Sequence, residues 1–234
     1  MDSAIVVDKN TVWRRLGIVT VLLFLLIGPN FGPIPLTLRQ SLSLEGSIIG
    51  MLIWFLVGFS IIIAVILRLS SISLRELLSY VGMGAPSRIW PNIVAVIVGL
   101  LLAASFYGNI LQFAPETNVA EINGFRILTV LLASIGVVLE DIITRGWFMN
   151  QLRDIQIPNW MQAVASALLF ALYHTVLAGF NVFAFIASII LGLILSGLFL
   201  WGKRSLTPVI IAHALAVFLA EPFASMIIFL VPNL

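Results

Sequence analysis

Five side chains of this sequence carry chemistry in apolar surroundings. Glu140, Asp141 and Arg145 stand in the run SIGVVLEDIITRGWF, His174 in LLFALYHTV and His213 in PVIIAHALAV. The chain has two histidines in all, and both lie in such runs. Asp141 and Arg145 are four residues apart, so on a helix they share a face and can pair. Glu140 sits about 100° round that helix from Asp141 and is left as a carboxylate without a local cation, which suits a general base. Histidine can hold a proton, donate a hydrogen bond or bind a metal. One glutamate and two histidines would also make a zinc ligand set, but no H-E-x-x-H spacing fixes two of them on one helical turn. No cofactor is expected, and a divalent metal such as zinc stays an open alternative.

These groups need elements to hold them, and the composition says which kind. Of 234 residues, 61% are apolar and 9% charged, where about 25% charged is usual for a soluble domain. Mean hydropathy is +1.16. A soluble globule cannot hide that much apolar surface, and a disordered chain would be poor in it. The absence of cysteine removes disulfides and thiolate nucleophiles. The apolar stretches are continuous and do not alternate as barrel strands do, so the class is an all-α polytopic membrane protein. A bilayer core of about 30 Å needs about 20 apolar residues per helix. On that scale the spans are Leu16 to about Leu38, Ser47–Leu67, Trp90–Phe113, Ile127–Phe148, Met161–Leu177, Asn181–Trp201, Pro208–Ala220 and Phe223–Val231. Eight transmembrane helices are therefore expected in one domain over residues 1–234, with Gly28, Pro29, Gly32, Pro33 and Pro35 kinking the first. Pro222 either divides one long helix or joins two short ones.

Basic residues orient the bundle. With the N-terminus inside, inner segments hold Lys9, Arg14, Arg15, Arg68, Arg75, Arg88, Arg153, Lys203 and Arg204, and outer segments only Arg39 and Arg126. This is the positive-inside pattern. It predicts a multi-pass protein of the cell membrane with both termini cytoplasmic, and it makes the small net charge of +2 a matter of orientation with no nucleic-acid partner. The arginine-led first run lacks a cleavage site and reads as an uncleaved helix. Ser71–Gly82 spaces Leu74, Leu77, Leu78 and Val81 as a short helix on the inner surface. In the sixth span Ala184, Ser188, Gly192 and Ser196 form a small-residue stripe for close packing within the chain. On these limits Glu140 and His213 lie roughly 8–12 Å from the inner end and His174 about 20 Å from it, a gap that tilt and side-chain reach must close. The arrangement predicts a cavity opening to the cytoplasm.

The ionisable residues also carry a resemblance. Glu140-Asp141-Ile142-Ile143-Thr144-Arg145 resembles an E-E-x-x-x-R motif. Phe170 stands four before His174, as in F-x-x-x-H. Ser205-Leu206-Thr207-Pro208-Val209-Ile210-Ile211-Ala212-His213-Ala214 resembles S-L-x-x-P-I-x-x-H-A. In this order, within residues 140–217, these motifs resemble the CAAX-protease and bacteriocin-processing (CPBP or Abi) family, and within it the type II CAAX prenyl endopeptidase. The resemblance implies an intramembrane endopeptidase of glutamate type with a conical intramembrane cavity open to the cytoplasm. Glu140 would activate a water, His174 would position it, Asp141 and Arg145 would orient the site, and His213 would stabilise the oxyanion. Two residues depart from the pattern. Asp141 replaces a glutamate, and Val217 stands where the family has an oxyanion-binding asparagine. One such donor is typically worth about 10²–10³ in rate. Glu221, at i+8 from His213, would as an ionised acceptor oppose an oxyanion, and Asn181 is a further candidate donor.

The expected activity is therefore cleavage of a peptide, lipidated or not, near the cytoplasmic membrane face, with membrane lipid as the second partner. Val217 motivates an alternative, a non-catalytic immunity or scaffold protein on the same fold. Buried carboxylates and histidines also build proton relays, but no inverted repeat supports a proton-coupled transporter. Composition says nothing of oligomeric state.

Overall fold

A computed structural model describes residues 8–27, 42–177 and 182–230. Gly28, Pro29, Gly32, Pro33, Pro35, Arg39 and Asn181 lie outside them. Among the described residues every regular element is helical. The elements are α1 (Lys9–Ile27), α2 (Leu44–Ser70), α3 (Leu74–Tyr80), α4 (Ile89–Phe113), α5 (Gly124–Asp141), a π-helical turn (Ile142–Trp147), α6 (Phe148–Asp154), α7 (Asn159–Leu177), α8 (Val182–Trp201), α9 (Thr207–Ala220) and α10 (Phe223–Leu230). Local chemistry sets several of the helix starts. Ser43 and Asn123 cap α2 and α5 by accepting the amides of Gly46 and Arg126. Pro91 and Pro208 fall in the first turns of α4 and α9, where a missing N–H costs nothing.

The expectation of eight spans is not confirmed. Among the described residues four helices are long and apolar enough to cross a membrane: α1, α2, α4 and the continuous run Gly124–Asp154. The pair Thr207–Ala220 and Phe223–Phe229 is bent by 75° and makes a fifth crossing if taken as one. The predicted seventh and eighth spans thus meet at a sharp bend. The predicted fourth span is longer than its apolar run, since α6 carries it six residues past Phe148.

The lower ends of the helices are tied together. Leu206 N–H donates to Gly82 O at 3.1 Å, Ser205 Oγ to Ala85 O at 2.7 Å and Asn150 Nδ2 to Tyr80 O at 2.6 Å. Arg204 donates to Asn150, Asn159 and Gln162. Tyr80 donates to Asp154 at 2.6 Å; burial, and then this bond, push its phenol well above the usual range, so it stays a donor. Around this end Trp13, Trp90, Trp160 and Trp201 are exposed, as tryptophans at a membrane–water interface are. The predicted inner-surface helix is α3, shorter than Ser71–Gly82. Ser73 and Glu76 close its first turn in a capping box. Leu77 and Val81 are buried while Leu74 is exposed, so it packs on the bundle by one edge.

Two close approaches place the helices that carry the histidines. A Cβ on Gly192 would lie 2.8 Å from Ala167 Cα, so α8 lies directly on α7 at the Gly192 position of the small-residue stripe. A Cβ on Gly99 would lie 2.8 Å from Ala212 O, so α4 holds α9 at the residue before His213. At the upper end Arg126 does more than mark a side. It donates to Val119 O at 2.6 Å, Glu121 O at 2.8 Å, Tyr107 Oη at 2.8 Å and Leu219 O at 3.0 Å. Tyr107 Oη also donates to Leu219 O. The carbonyl freed where α9 breaks is thereby satisfied. Arg126→Ala should cost about 1–3 kcal/mol through the bonds lost to Val119 O and Glu121 O, with Tyr107 still serving Leu219 O, and lower Tm by roughly 3–10 °C. Arg126→Lys should recover less than half, because one ammonium cannot serve four acceptors; thermal unfolding in detergent checks both.

Candidate active site

The polar residues gather where α5 widens into the π turn. Glu140 is 5% exposed, and Asp141, Thr144 and Arg145 are fully buried. Ionisable groups this deep need partners. Asp141 has one on each carboxylate oxygen. Arg145 Nη1 donates to Oδ1 at 3.0 Å, and His213 Nδ1 lies 3.1 Å from Oδ2. The expected i, i+4 pair therefore forms, and it reaches α9 as well.

Phe170 on α7 organises the other side. The Arg145 guanidinium lies 4.1 Å from its ring centroid, close enough for a cation–π contact. The His174 ring lies 3.9 Å from the same centroid and the His213 ring 6.1 Å. Phe170 O is 2.9 Å from His174 Nδ1. A carbonyl accepts only, so Nδ1 carries a proton, and Nε2 is directed at Glu140 Oε1 from 3.9 Å. By the same reasoning His213 Nδ1 carries the proton facing Asp141, and its Nε2 points away. Glu140 Oε1 has no hydrogen-bond partner among the described residues. The carboxylate expected to lack a cation partner thus faces a histidine nitrogen across a gap too long for a direct bond.

The depth gap between the histidines closes through helix length. Because the helical run continues to Asp154, Glu140 lies 14 residues from its lower end, and His174 lies 15 residues from the start of α7 at Asn159. Both distances are about 21–23 Å at 1.5 Å per residue. His213 reaches the same level because α9 begins on the buried Ser205–Leu206 connection. Every residue from Glu140 to Leu152 is buried, whereas the His174 side chain is 30% exposed. Among the described residues, then, the opening of the site is at His174 and not along the lower half of this helix.

Two residues of the cluster were not expected from sequence. Thr144 Oγ1 accepts from Arg145 Nη1 and donates to Glu140 O, each at 2.8 Å. Ser166 Oγ donates to Thr144 O at 2.8 Å. A signal existed for each. Thr144 is a polar residue four after Glu140, and Ser166, Phe170 and His174 recur every four residues on one face of α7. Val217 is 8% exposed and packs with Ile48, Leu52, Ala133 and Val137. Glu221 accepts from Ser225 Oγ at 3.1 Å and stands about 12 Å up α9 from His213. Among the described residues no three His, Cys, Asp or Glu side chains are placed to hold a metal ion.

Residues 122–219 match the family model described as type II CAAX prenyl endopeptidase Rce1-like. No curated protein and no solved structure matches the chain. The Rce1-like segment holds all five candidate residues, as well as Phe170, Thr144 and Ser166. It supports the resemblance to the CAAX protease family, and the long apolar helices support a multi-pass membrane protein. Within the matched segment, removing Arg145 leaves the buried Asp141 carboxylate with His213 on one oxygen and no partner on the other. Arg145→Met should cost about 3–5 kcal/mol of unfolding free energy, read by denaturant unfolding in mixed micelles. The double variant Asp141→Asn/Arg145→Met should recover part of the loss.

Proposed function

We propose that the protein is an intramembrane endopeptidase in which Glu140 activates a water against a peptide bond. The observation that carries this reading is the unpartnered Glu140 Oε1 held 3.9 Å from His174 Nε2. A water about 2.8 Å from both atoms would subtend roughly 90° at its oxygen, near its own bond angle. It would donate one hydrogen to the carboxylate and one to the imidazole, leaving its lone pairs free to attack. Glu140 takes a proton as the water oxygen bonds to the carbonyl carbon. The same proton goes to the amine nitrogen as the C–N bond breaks, which restores the carboxylate. His213 is proposed to act as the imidazolium, with Nδ1–H on Asp141 and Nε2–H as the oxyanion donor, and Asp141 holds its ring and offsets its charge. His174 is the residue proposed to position the water.

The substrate is proposed to be a peptide, lipidated or not, that reaches Glu140 past the partly exposed His174, since the lower half of the Glu140 helix is buried. The basic residues and exposed tryptophans at the lower end support placing that end, with the start of α1, on the cytoplasmic side of the cell membrane; α10 packs by Met226 and Phe229 on Leu44 and Phe125 at the opposite end. The test uses protein in liposomes and a panel of quenched peptides, prenylated and unprenylated. Wild type should cleave at least one, and Glu140→Gln should lose at least about 10³-fold in kcat while unfolding at the wild-type temperature. Cleavage retained in Glu140→Gln overturns the assignment.

Val217 favours a second reading, a non-catalytic immunity or scaffold protein, because an apolar side chain replaces an oxyanion donor. No cleavage of any panel peptide by wild type supports it. Val217→Asn separates the two further. A gain of about 10²-fold or more indicates a site decayed at this position, and unchanged robust turnover means the asparagine is unnecessary here.

A further inference from the structure

We infer that Thr144 is a positioning residue of the site, acting through its hydroxyl on Arg145 and, through Asp141, on His213. This rests on the reading of Glu140 and His213 given above. Thr144 lies three residues into the Ile142–Trp147 π turn. Turns of this kind widen the helix and recur at functional sites. Its hydroxyl is fully used: it donates to Glu140 O at 2.8 Å and accepts from Arg145 Nη1 at 2.8 Å. Its carbonyl is fixed from α7 by Ser166 Oγ. Neither the hydroxyl nor the carbonyl is left to find another partner, and the residue is fully buried.

The hydroxyl closes a chain of polar groups. It runs from Glu140 O through Thr144 Oγ1, Arg145 Nη1, Asp141 Oδ1 and Oδ2 to His213 Nδ1, with no step longer than 3.1 Å. Arg145 Nη1 divides its two hydrogens between Thr144 and Asp141. Arg145 Nε and Nη2 have no hydrogen-bond partner among the described residues. The guanidinium is therefore oriented by Nη1 and by the face of Phe170 alone. Without the Thr144 hydroxyl a single bond to Asp141 remains. The guanidinium is then free to turn about it, and the share of charge it places on Asp141 Oδ1 changes. Asp141 Oδ2 holds the His213 proton, so the change is transmitted to His213 Nε2. The same loss releases the Glu140 carbonyl, but Glu140 Oε1 keeps its place opposite His174. Orientation of the oxyanion donor should suffer while substrate binding does not.

Serine keeps the hydroxyl and alanine removes it, and the two variants differ by one oxygen. Thr144→Ala should lower kcat about tenfold or more, from the loss of a hydrogen bond to a charged group, with KM unchanged. Thr144→Ser should stay within about threefold of wild type. A second readout needs no turnover. With two histidines in the chain, ¹⁵N-histidine labelling gives two imidazole signal sets, assigned by His174→Gln. The His213 signals should move in Thr144→Ala and return in Thr144→Ser, while those of His174 stay in place. Unmoved His213 signals in Thr144→Ala, or equal loss of kcat in the serine and alanine variants, overturn the inference. Glu140→Gln in the same assay keeps the two claims apart. If it retains activity, the peptidase reading falls. If it is dead while Thr144→Ala turns over like wild type, only the role of Thr144 falls.

Discussion

The Asp141 carboxylate is the constraint on which the rest of this structure turns. A fully buried anion in a membrane-spanning helix costs several kcal/mol unless it is met on every side. Arg145 meets it from within the same helix and His213 from α9. That single group fixes the angular relation of two helices, the Nδ1 proton of one histidine and the orientation of the guanidinium. The guanidinium in turn lies over Phe170, whose carbonyl sets the tautomer of the other histidine. An unpaired Asp141 would leave nothing to hold His213 in place. Glu140, one residue away, is the exception: it can keep an oxygen without a partner because the neighbouring charges already balance.

The scaffold serves this arrangement through close contacts and continuous helices. α9 reaches the site because Gly99 admits its backbone against α4, and α7 is backed by α8 at Gly192. The π turn lets Asp141, Thr144 and Arg145 converge without ending the helix, so the polar cluster sits in the middle of a 31-residue rod. Its lower half is packed by Trp147, Met149, Leu152, Leu77 and Val81 into the main core. A rigid buried floor below and a partly exposed histidine above give the site a direction. Reactive groups are held from beneath and met from the side of α7.

Much of this was legible in the sequence, for physical reasons. Ionisable residues are so costly in apolar runs that their positions alone marked Glu140, Asp141, Arg145, His174 and His213, and the i, i+4 rule paired the right two. Interleaved leucines marked α3, and the small-residue stripe marked the α7–α8 contact. Span limits failed where hydropathy and helix length part company. Asn150, Gln151, Arg153 and Asp154 ended the apolar run at Phe148, yet their side chains bind Tyr80, Arg204 and each other, and the helix continues. That underestimate produced the apparent depth gap between Glu140 and His174. The bend after α9 was foreseeable only as a choice, since Pro222 permits either a bend or a boundary. Arg126 was read as an orientation signal because nothing in its neighbourhood in sequence reveals Leu219 O, 93 residues away. Thr144 was passed over because a threonine in a helix is common, and its worth here comes from the arginine beside it.

Val217 acquires a sharper meaning in this setting. It is no isolated gap in a polar ring. It belongs to an apolar layer with Ala133 and Val137, the residues of α5 about one and two turns above Glu140, and with Ile48 and Leu52 of α2. Along α9 and its C-cap, histidine, valine and glutamate follow at four-residue steps, with Val217 between His213 and Glu221. A dry layer of this kind raises the effective strength of every charge interaction beneath it. An asparagine would add a donor but would open that layer with an amide needing partners of its own. On the peptidase reading the polar groups Glu140, His174 and His213 stand on one level, beneath this apolar layer.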